Sequence, residues 1–259
     1  MSQNNIIVEN LKIEKNKISI LKDLSLTISK DKIVAIIGGD DFFNKTIIEL
    51  LLGYISSDLK IAGNIFIDID NDKKRIFDLS NEKLHNLRKK NIGVYYKESD
   101  IIFVNIEKIG KQMIELLLLK TDKKIKDIKK EIKEYMIFFD IPLKVFDKYP
   151  NNIKDSRKKI LSFILLIIMK PMFLFLNEPF NVDIIVRKKM IYLLQKYKKE
   201  ISILFVSSDI SILKIGDFID YSIIVDFDKV ILKDTPHNIF NSNNPTIKNM
   251  IKEAFFIFD

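Results

Sequence analysis

The stretch "GGDDFFNKT", Gly38 to Thr46, follows an apolar run, Ile33 to Ile37, and leads into residues of helical spacing, Thr46 to Leu52, which Gly53 is placed to cap. It comes close to the phosphate-loop pattern G-x-x-x-x-G-K-[ST]. In that pattern glycines turn backbone N–H groups inward around phosphate, the Lys reaches the terminal phosphates and the hydroxyl holds Mg²⁺. Read from Gly39, the glycine, Lys45 and Thr46 fit, and Asn44 takes the place of the second glycine. Asn tolerates left-handed backbone better than most residues. Asp40 and Asp41 work against an anion, because two carboxylates repel a triphosphate. Farther along, "FLFLNEP" ends an apolar strand on Asn177 and Glu178. A carboxylate at the tip of a buried strand is what Mg²⁺ and an attacking water need beside a phosphate loop, with Glu178 as the base that polarises the water. Each stretch taken singly also reads as a plain strand-turn-helix unit or a capped strand, so the weight rests on their combination.

The elements around these residues follow from periodicity. "IIVENLKIEKNKISILKDLSLTISKDKIVAIIG" alternates apolar and polar residues between Lys-Asn and Lys-Asp turn signals, which predicts antiparallel strands leading into the fully apolar strand Ile33 to Ile37. Ala62 to Asn71 predicts another alternating strand, and "LHNLRKKNIGVYY" a polar helix running into one more. From Ile106 to Phe139 the pattern is helical and Lys-rich, ending at the breaker "DIPLKVFDKYP". Then come helix Ile160 to Met169, strand Met172 to Leu176, helix Val186 to Tyr197, strand Ser202 to Val206, helix Ile210 to Ile215 and a hairpin from Tyr221 to Asp234. Apolar strands alternating with helices predict a largely parallel sheet covered on both faces, interrupted by an inserted helical subdomain.

A chain of 259 residues suits one large α/β domain with an insertion. It has no Cys, and His85 and His237 lie far apart, which argues against thiolate or imidazole metal sites and fits a reducing, cytoplasmic setting. The start "MSQNNIIVEN" lacks the features of a signal peptide, and "ILSFILLIIM" is too short to cross a bilayer. The net charge of +8 is carried by Lys spread along helices such as "KTDKKIKDIKKEIKEYM", interleaved with acids, the look of a solvated helix face. Only 7 Gly and 6 Pro occur, while Ile and Lys are in excess. Such a composition fits AT-rich codons, a bias that erodes glycine motifs without selection for their loss.

Taken in order, these stretches resemble the ATP-binding subunit of ABC transporters over nearly the whole chain, and most specifically the branch that drives import of oligopeptides, dipeptides and nickel. "NIGVYYKESD" is similar to that family's Q-loop strand, and "IGKQMIELLLL" to the start of its helical subdomain. "FDKYPNNIKDSRKKI" resembles the approach to the signature, and "FLFLNEPFNVD" the Walker B strand with its D-loop. "SILFVSSDISILKIGDFID" resembles the H-loop strand and the helix after it, and "VILKDTPHNIFNSNNPTIKNMI" the tail of the peptide-importer branch. The resemblance implies a P-loop NTPase over 1–259: a RecA-like core with a parallel sheet and an N-terminal antiparallel β subdomain (1–95 and 170–259), and a helical subdomain at about 96–169. It implies ATP and Mg²⁺ as ligands, with Gly38, Gly39, Asn44, Lys45 and Thr46 on the nucleotide, Thr46 on the metal, Glu178 catalytic and Asp183 in the D-loop.

The departures fall on the chemistry. Aligned without a gap from Gly38 to Gly53, Asn44 lands on the family's phosphate lysine, with Lys45 on its Ser; sliding by one residue restores Lys45-Thr46 and shortens the helix start. The signature L-S-G-G corresponds to Ile153, Lys154, Asp155 and Ser156, the Q-loop Gln to Lys97, the Walker B Asp to Asn177, the switch His to Ser208 and the adenine-stacking aromatic to Glu14. Glycine erosion alone does not account for the joint loss of Gln, His and Asp. The expectation is therefore a divergent importer subunit of impaired hydrolysis, peripheral on the inner face of the cell membrane. Its partners would be membrane permease subunits and a second ABC ATP-binding subunit in a heterodimer, with no nucleic acid. The alternatives are an active ATPase using Lys45, Thr46 and Glu178 in an unorthodox way, a non-transport ABC protein acting on ribosomes or nucleic acid, and a relic.

Overall fold

The computed structural model describes residues 4–97, 102–215 and 218–256. In chain order the elements are β1 (Asn5–Lys15), β2 (Ile18–Ser29), β3 (Ile33–Ile37), α1 (Asp41–Leu51), β4 (Leu59–Ile69), β5 (Asp72–Arg75), α2 (Asn81–Asn91), β6 (Ile92–Tyr95), α3 (Ile109–Leu118), α4 (Ile125–Phe138), α5 (Asp155–Met169), β7 (Phe173–Asn177), α6 (Ile184–Tyr197), β8 (Ser202–Ser207), β9 (Tyr221–Asp226), β10 (Lys229–Asp234), α7 (Pro236–Phe240) and α8 (Pro245–Phe256).

The fully apolar strands are buried on both faces, as their composition requires. In β3, Ile33, Ala35 and Ile37 enter one hydrophobic core while Val34 and Ile36 enter the other. The same alternation splits β7, with Leu174 and Leu176 on one side and Phe173 and Phe175 on the other. These strands belong to a six-stranded sheet of order β10-β9-β3-β8-β7-β6. Its four pairings from β9 to β6 begin with β3 beside β9 and all run parallel, and β10 closes one edge antiparallel. The alternating N-terminal segment forms a separate four-stranded antiparallel sheet of order β2-β1-β4-β5. The inner side chains of that sheet, Ile6, Val8, Leu11 and Ile13 among them, pack with α1 and α2 into the second core.

The Lys-rich middle resolves into two helices, α3 and α4, separated around residues 119–124. On α4, Ile128, Ile132 and Met136 are buried at intervals of four, and the lysines between them face water. This face joins the first core through Phe139 and Phe163, whose rings meet edge-on at 6.1 Å. Several helices start earlier than apolar spacing alone suggests. The first turn of α5, from Asp155, is polar, with Asp155 and Ser156 exposed, and α6 begins at Ile184 because Asp183 caps it. Ile210–Lys214 forms a 3-10 turn and not an α-helix. Among the described residues no helix is long and apolar enough to cross a membrane.

Three rings hold the loop that follows β7 onto the sheet. Phe180 packs edge-on against Phe205 at 5.4 Å and Phe218 at 5.6 Å, and Phe205 stacks on Phe218 at 6.0 Å. Phe205 is fully buried at the middle of β8. Truncating Phe205→Ala is expected to cost about 3–5 kcal/mol through lost burial and a residual cavity. The check is the midpoint of urea unfolding, which should fall with an unchanged slope.

Candidate functional site

In an open α/β sheet, ligands bind outside the carboxyl ends of the strands. At that edge the turn from β3 into α1 contains only Gly38, Gly39 and Asp40. Gly38 has φ +100°, and a Cβ there would lie 1.9 Å from the Val225 carbonyl oxygen of β9, so only glycine fits. Gly39 has φ +75°, and a Cβ there would meet the ring of Phe43 at 2.4 Å. The glycines thus make the turn, and the space beside Gly39 holds a buried phenylalanine ring.

The expected helix start at Thr46 is corrected to Asp41. Asp40 is the N-cap and its Oδ1 accepts from the Phe43 N–H at 2.7 Å. A helix N-terminus attracts anions through unpaired N–H groups and its dipole, and here the chain supplies the anion itself. Asp41, in the first turn, accepts from Lys97 Nζ at 3.2 and 3.1 Å. The C-terminal end of α1 follows expectation: Tyr54 N–H reaches the Glu49 carbonyl and Gly53 N–H that of Leu50, with Gly53 at positive φ.

With α1 continuous from Asp41, Asn44 points inward and is fully buried, while Lys45 is exposed and pairs with Glu49 one turn on, at 3.7 Å. Thr46 is buried in the helix. Asn44 Nδ2 donates to Glu178 Oε1 at 3.2 Å. Because Asn177 lies in register with Val206, Glu178 and Ser207 leave their strands side by side. Ser207 Oγ donates to Glu178 Oε2 at 2.8 Å, and Ser208 donates to Oε1 from its N–H at 2.6 Å and its hydroxyl at 2.9 Å. Glu178 adopts φ +47°, a left-handed conformation costing a non-glycine residue about 1–2 kcal/mol, which these bonds offset.

The remaining sequence-predicted residues lie apart from this cluster or play local parts. Asp183 accepts from the Ile185 N–H at 2.8 Å as the cap of α6. Asp155 sits at the start of α5, exposed, and a hydrogen bond from Lys158 at 2.7 Å holds its carboxyl below the usual carboxylate range. Glu14 is exposed on β1, and beside it Lys15 Nζ lies over the Phe42 ring at 4.2 Å. Tyr96, next to Lys97, is pushed up by burial and then by the Glu49 charge. Residues 98–100 of the Q-loop-like stretch and residues 216 and 217 of the H-loop-like one lie outside the described residues.

Two cavities open at this edge. One of about 190 Å³ is lined by Lys97, Glu178, Arg187, Ser207, Ser208 and Asp209 among others. The other, about 570 Å³, lies between Ser19, Gly39, Phe42 and Phe227 and carries the carboxylates of Asp40, Asp226 and Asp228. The first is smaller than the roughly 300 Å³ at which ligand pockets begin, and the second carries the wrong charge for a triphosphate. Of the buried side-chain atoms that lack a protein partner, Asn44 Oδ1 and Asn177 Oδ1 beside Glu178 are acceptors, which an anion cannot use, while Nε of Arg187, which lines the smaller cavity with Glu178, is a donor. Among the described residues no three His, Asp or Glu side chains converge as a metal would need. The residues present do not fit Mg-ATP in the manner of the phosphate-loop pattern.

Spacing alone passed over Asp40 as a cap, Phe43 as a filler and Ser207 as a donor. Asp40 carried a signal, an Asp directly before a run of helical residues. Ser207 carried none, because its partner is 29 residues away in sequence. Asp40→Ala is expected to destabilise the fold by about 1 kcal/mol and Asp40→Asn to leave it intact, since Asn caps equally well. Lys45→Ala should stay within about 0.5 kcal/mol of wild type, as for an exposed i,i+4 pair. Urea titrations of the three variants measure all of this.

Comparison with known proteins gives the same architecture. No family model matches the chain. It is 23% identical over 204 residues to the metal-staphylopine import system ATP-binding protein of Staphylococcus aureus, covering 76% of this chain and 74% of that one. It is 25% identical over 237 residues to a putative ABC transporter ATP-binding protein of Clostridium acetobutylicum, covering 89% of this chain and 78% of the other. Among solved structures it superposes with a TM-score of 0.70 and 21% identity on cbiO1 from Clostridium perfringens, part of the ABC transporter complex cbiONQ, over 98% of this chain and 95% of that one.

Proposed function

The chain has the fold of an ABC ATPase domain, a P-loop NTPase, and we propose that it serves as the ATP-binding-type subunit of an ABC importer with its own hydrolysis impaired. The observation that carries this reading is the contrast between a complete domain and a self-occupied strand edge. Both cores and the β3–α1 turn are kept, while the inward position of α1 is an amide, Asn44, and the helix start is capped by Asp40. A chain retained only as a relic would have no reason to keep β3, β7 and β8 buried on both faces.

In this reading the subunit couples to a membrane permease and pairs with a second ABC ATP-binding subunit that performs turnover. The cargo is of the peptide or nickel class. The importer-branch resemblance of the tail supports that class, and so does the Staphylococcus relative, whose name gives metal-staphylopine import. The complex lies on the inner face of the cell membrane, where a net charge of +8 suits an anionic leaflet. Nucleic acid has no part in it, since the excess Lys is spread over solvated helix faces such as that of α4.

The test is Mg-ATP turnover by the purified chain, alone and after co-expression with the permease and second ATP-binding subunit of its own operon or genome. The expected outcome is no turnover alone, co-purification with the permease, and turnover by the complex that survives Asn44→Ala in this chain. Brisk turnover by the isolated chain would sink the impaired-hydrolysis reading, and failure to join any permease would sink the importer reading.

A further inference from the structure

One carboxylate at the strand edge ties together three elements that are distant in sequence. Oε1 of Glu178 accepts from Asn44 of α1 and from both the N–H and the hydroxyl of Ser208, and Oε2 accepts from Ser207 at the end of β8. Ser207 Oγ accepts in turn from the Asp209 N–H at 3.2 Å, which extends the tie into the turn beyond. An ion pair, Lys97 to Asp41, joins the residues after β6 to the start of α1. The ends of β6, β7 and β8 and the first turns of α1 are thereby cross-linked by the chain's own side chains.

A general base must keep a lone pair directed at the water it polarises. Three donors converge on Oε1, which uses up its acceptor capacity, and Ser207 takes one of the two positions on Oε2, so most of the carboxylate's lone pairs face the chain's own donors. Charge-assisted hydrogen bonds of this kind are stronger than neutral ones, and inside a protein they hold geometry as well as energy. The left-handed backbone at Glu178 points the same way, because such a conformation persists only where the surroundings over-determine it.

We infer that Glu178 is a latch: a positioning residue whose carboxylate holds α1, β7 and β8 together at the strand edge. This rests on the impaired-hydrolysis part of the function proposed above and is independent of which permease or cargo is involved. The subunit keeps one fixed shape at this edge, and the nucleotide state of a partner does not have to be matched by a nucleotide here.

Hydrogen exchange read by mass spectrometry on the purified full-length chain tests the latch. Glu178→Ala is expected to raise exchange at Asp41–Thr46 and Ser207–Asp209 by about tenfold or more, since the first segment loses one charge-assisted hydrogen bond and the second three. Glu178→Gln keeps Oε1 as an acceptor and turns Nε2 toward Ser207 Oγ, a hydroxyl that accepts as well as donates, so its exchange should stay within about twofold of wild type. Millimolar Mg-ATP should leave the wild-type pattern unchanged. If Glu178→Ala does not fold, Asn44→Ala removes a donor from the opposite side and should give a several-fold rise at Asp41–Thr46. The latch is overturned by wild-type exchange in Glu178→Ala or, where that variant does not fold, in Asn44→Ala. It is also overturned by a Gln variant as loose as the Ala variant, by protection of wild type on adding Mg-ATP, or by a turnover that Glu178→Gln abolishes. A chain that shows the expected exchange but joins no permease overturns the importer reading alone.

Discussion

Burial of the parallel strands on both faces is the constraint from which the rest of the structure follows. A strand such as β3, with alternate residues in two different cores, cannot slip by one position without exchanging the contents of both. The pairing of β3, β7 and β8 is therefore fixed, and with it the level at which each strand ends. Because the strands are parallel, their carboxyl ends meet at one edge, where Asn177, Glu178, Ser207 and Gly38 emerge together. Polar groups gathered there need partners, since an unpaired buried polar group is costly.

The partners at this edge come from the chain itself. The N-terminus of α1, which by its dipole would attract an anion, receives the Asp40 carboxylate, and Asn44, Ser207 and Ser208 all turn to Glu178. Phe43 fills the space beside Gly39, and the Phe180, Phe205 and Phe218 cluster keeps the loop after β7 against the sheet. Charge is divided accordingly. The excess Lys lies on outward helix faces, as on α4, while the larger cavity beside Gly39 carries three carboxylates. The protein is basic as a whole and acidic in the larger cavity beside Gly39, while the smaller cavity holds the Lys97 and Arg187 cations beside Glu178 and Asp209.

This arrangement separates two properties that a phosphate loop normally joins. The turn geometry of the loop survives in Gly38, where the close approach of Val225 leaves no room for a side chain. In the reading proposed above its anion-binding chemistry does not, because the inward residue of α1 is a neutral amide and Lys45 points away to Glu49. A domain can thus retain the packing that a partner subunit or permease would meet while its own strand edge is held by internal hydrogen bonds.

The sequence by itself determined the layered architecture. Fully apolar runs at Ile33–Ile37 and Phe173–Leu176 require burial on both faces, the alternating N-terminal segment requires a one-sided sheet, and the Lys-rich pattern of Ile125–Phe138 requires a helix with one wet face. It also marked Gly38, Asn44, Lys45, Thr46 and Glu178 as a group without deciding among registers, because Asn44 and Lys45 are adjacent and local pattern suits either facing inward. Tertiary structure decided that point. Extending α1 to Asp41 rotates its inward face by about 100° per residue, so moving the helix by a single position would exchange Asn44 for Lys45. Which of them faces the core is set by Phe43, Ile47 and Leu50 finding their places in the second core. The bonds from Asn44, Ser207 and Ser208 to Glu178 lay beyond any local reading for the same reason: they join residues that only the strand register brings side by side.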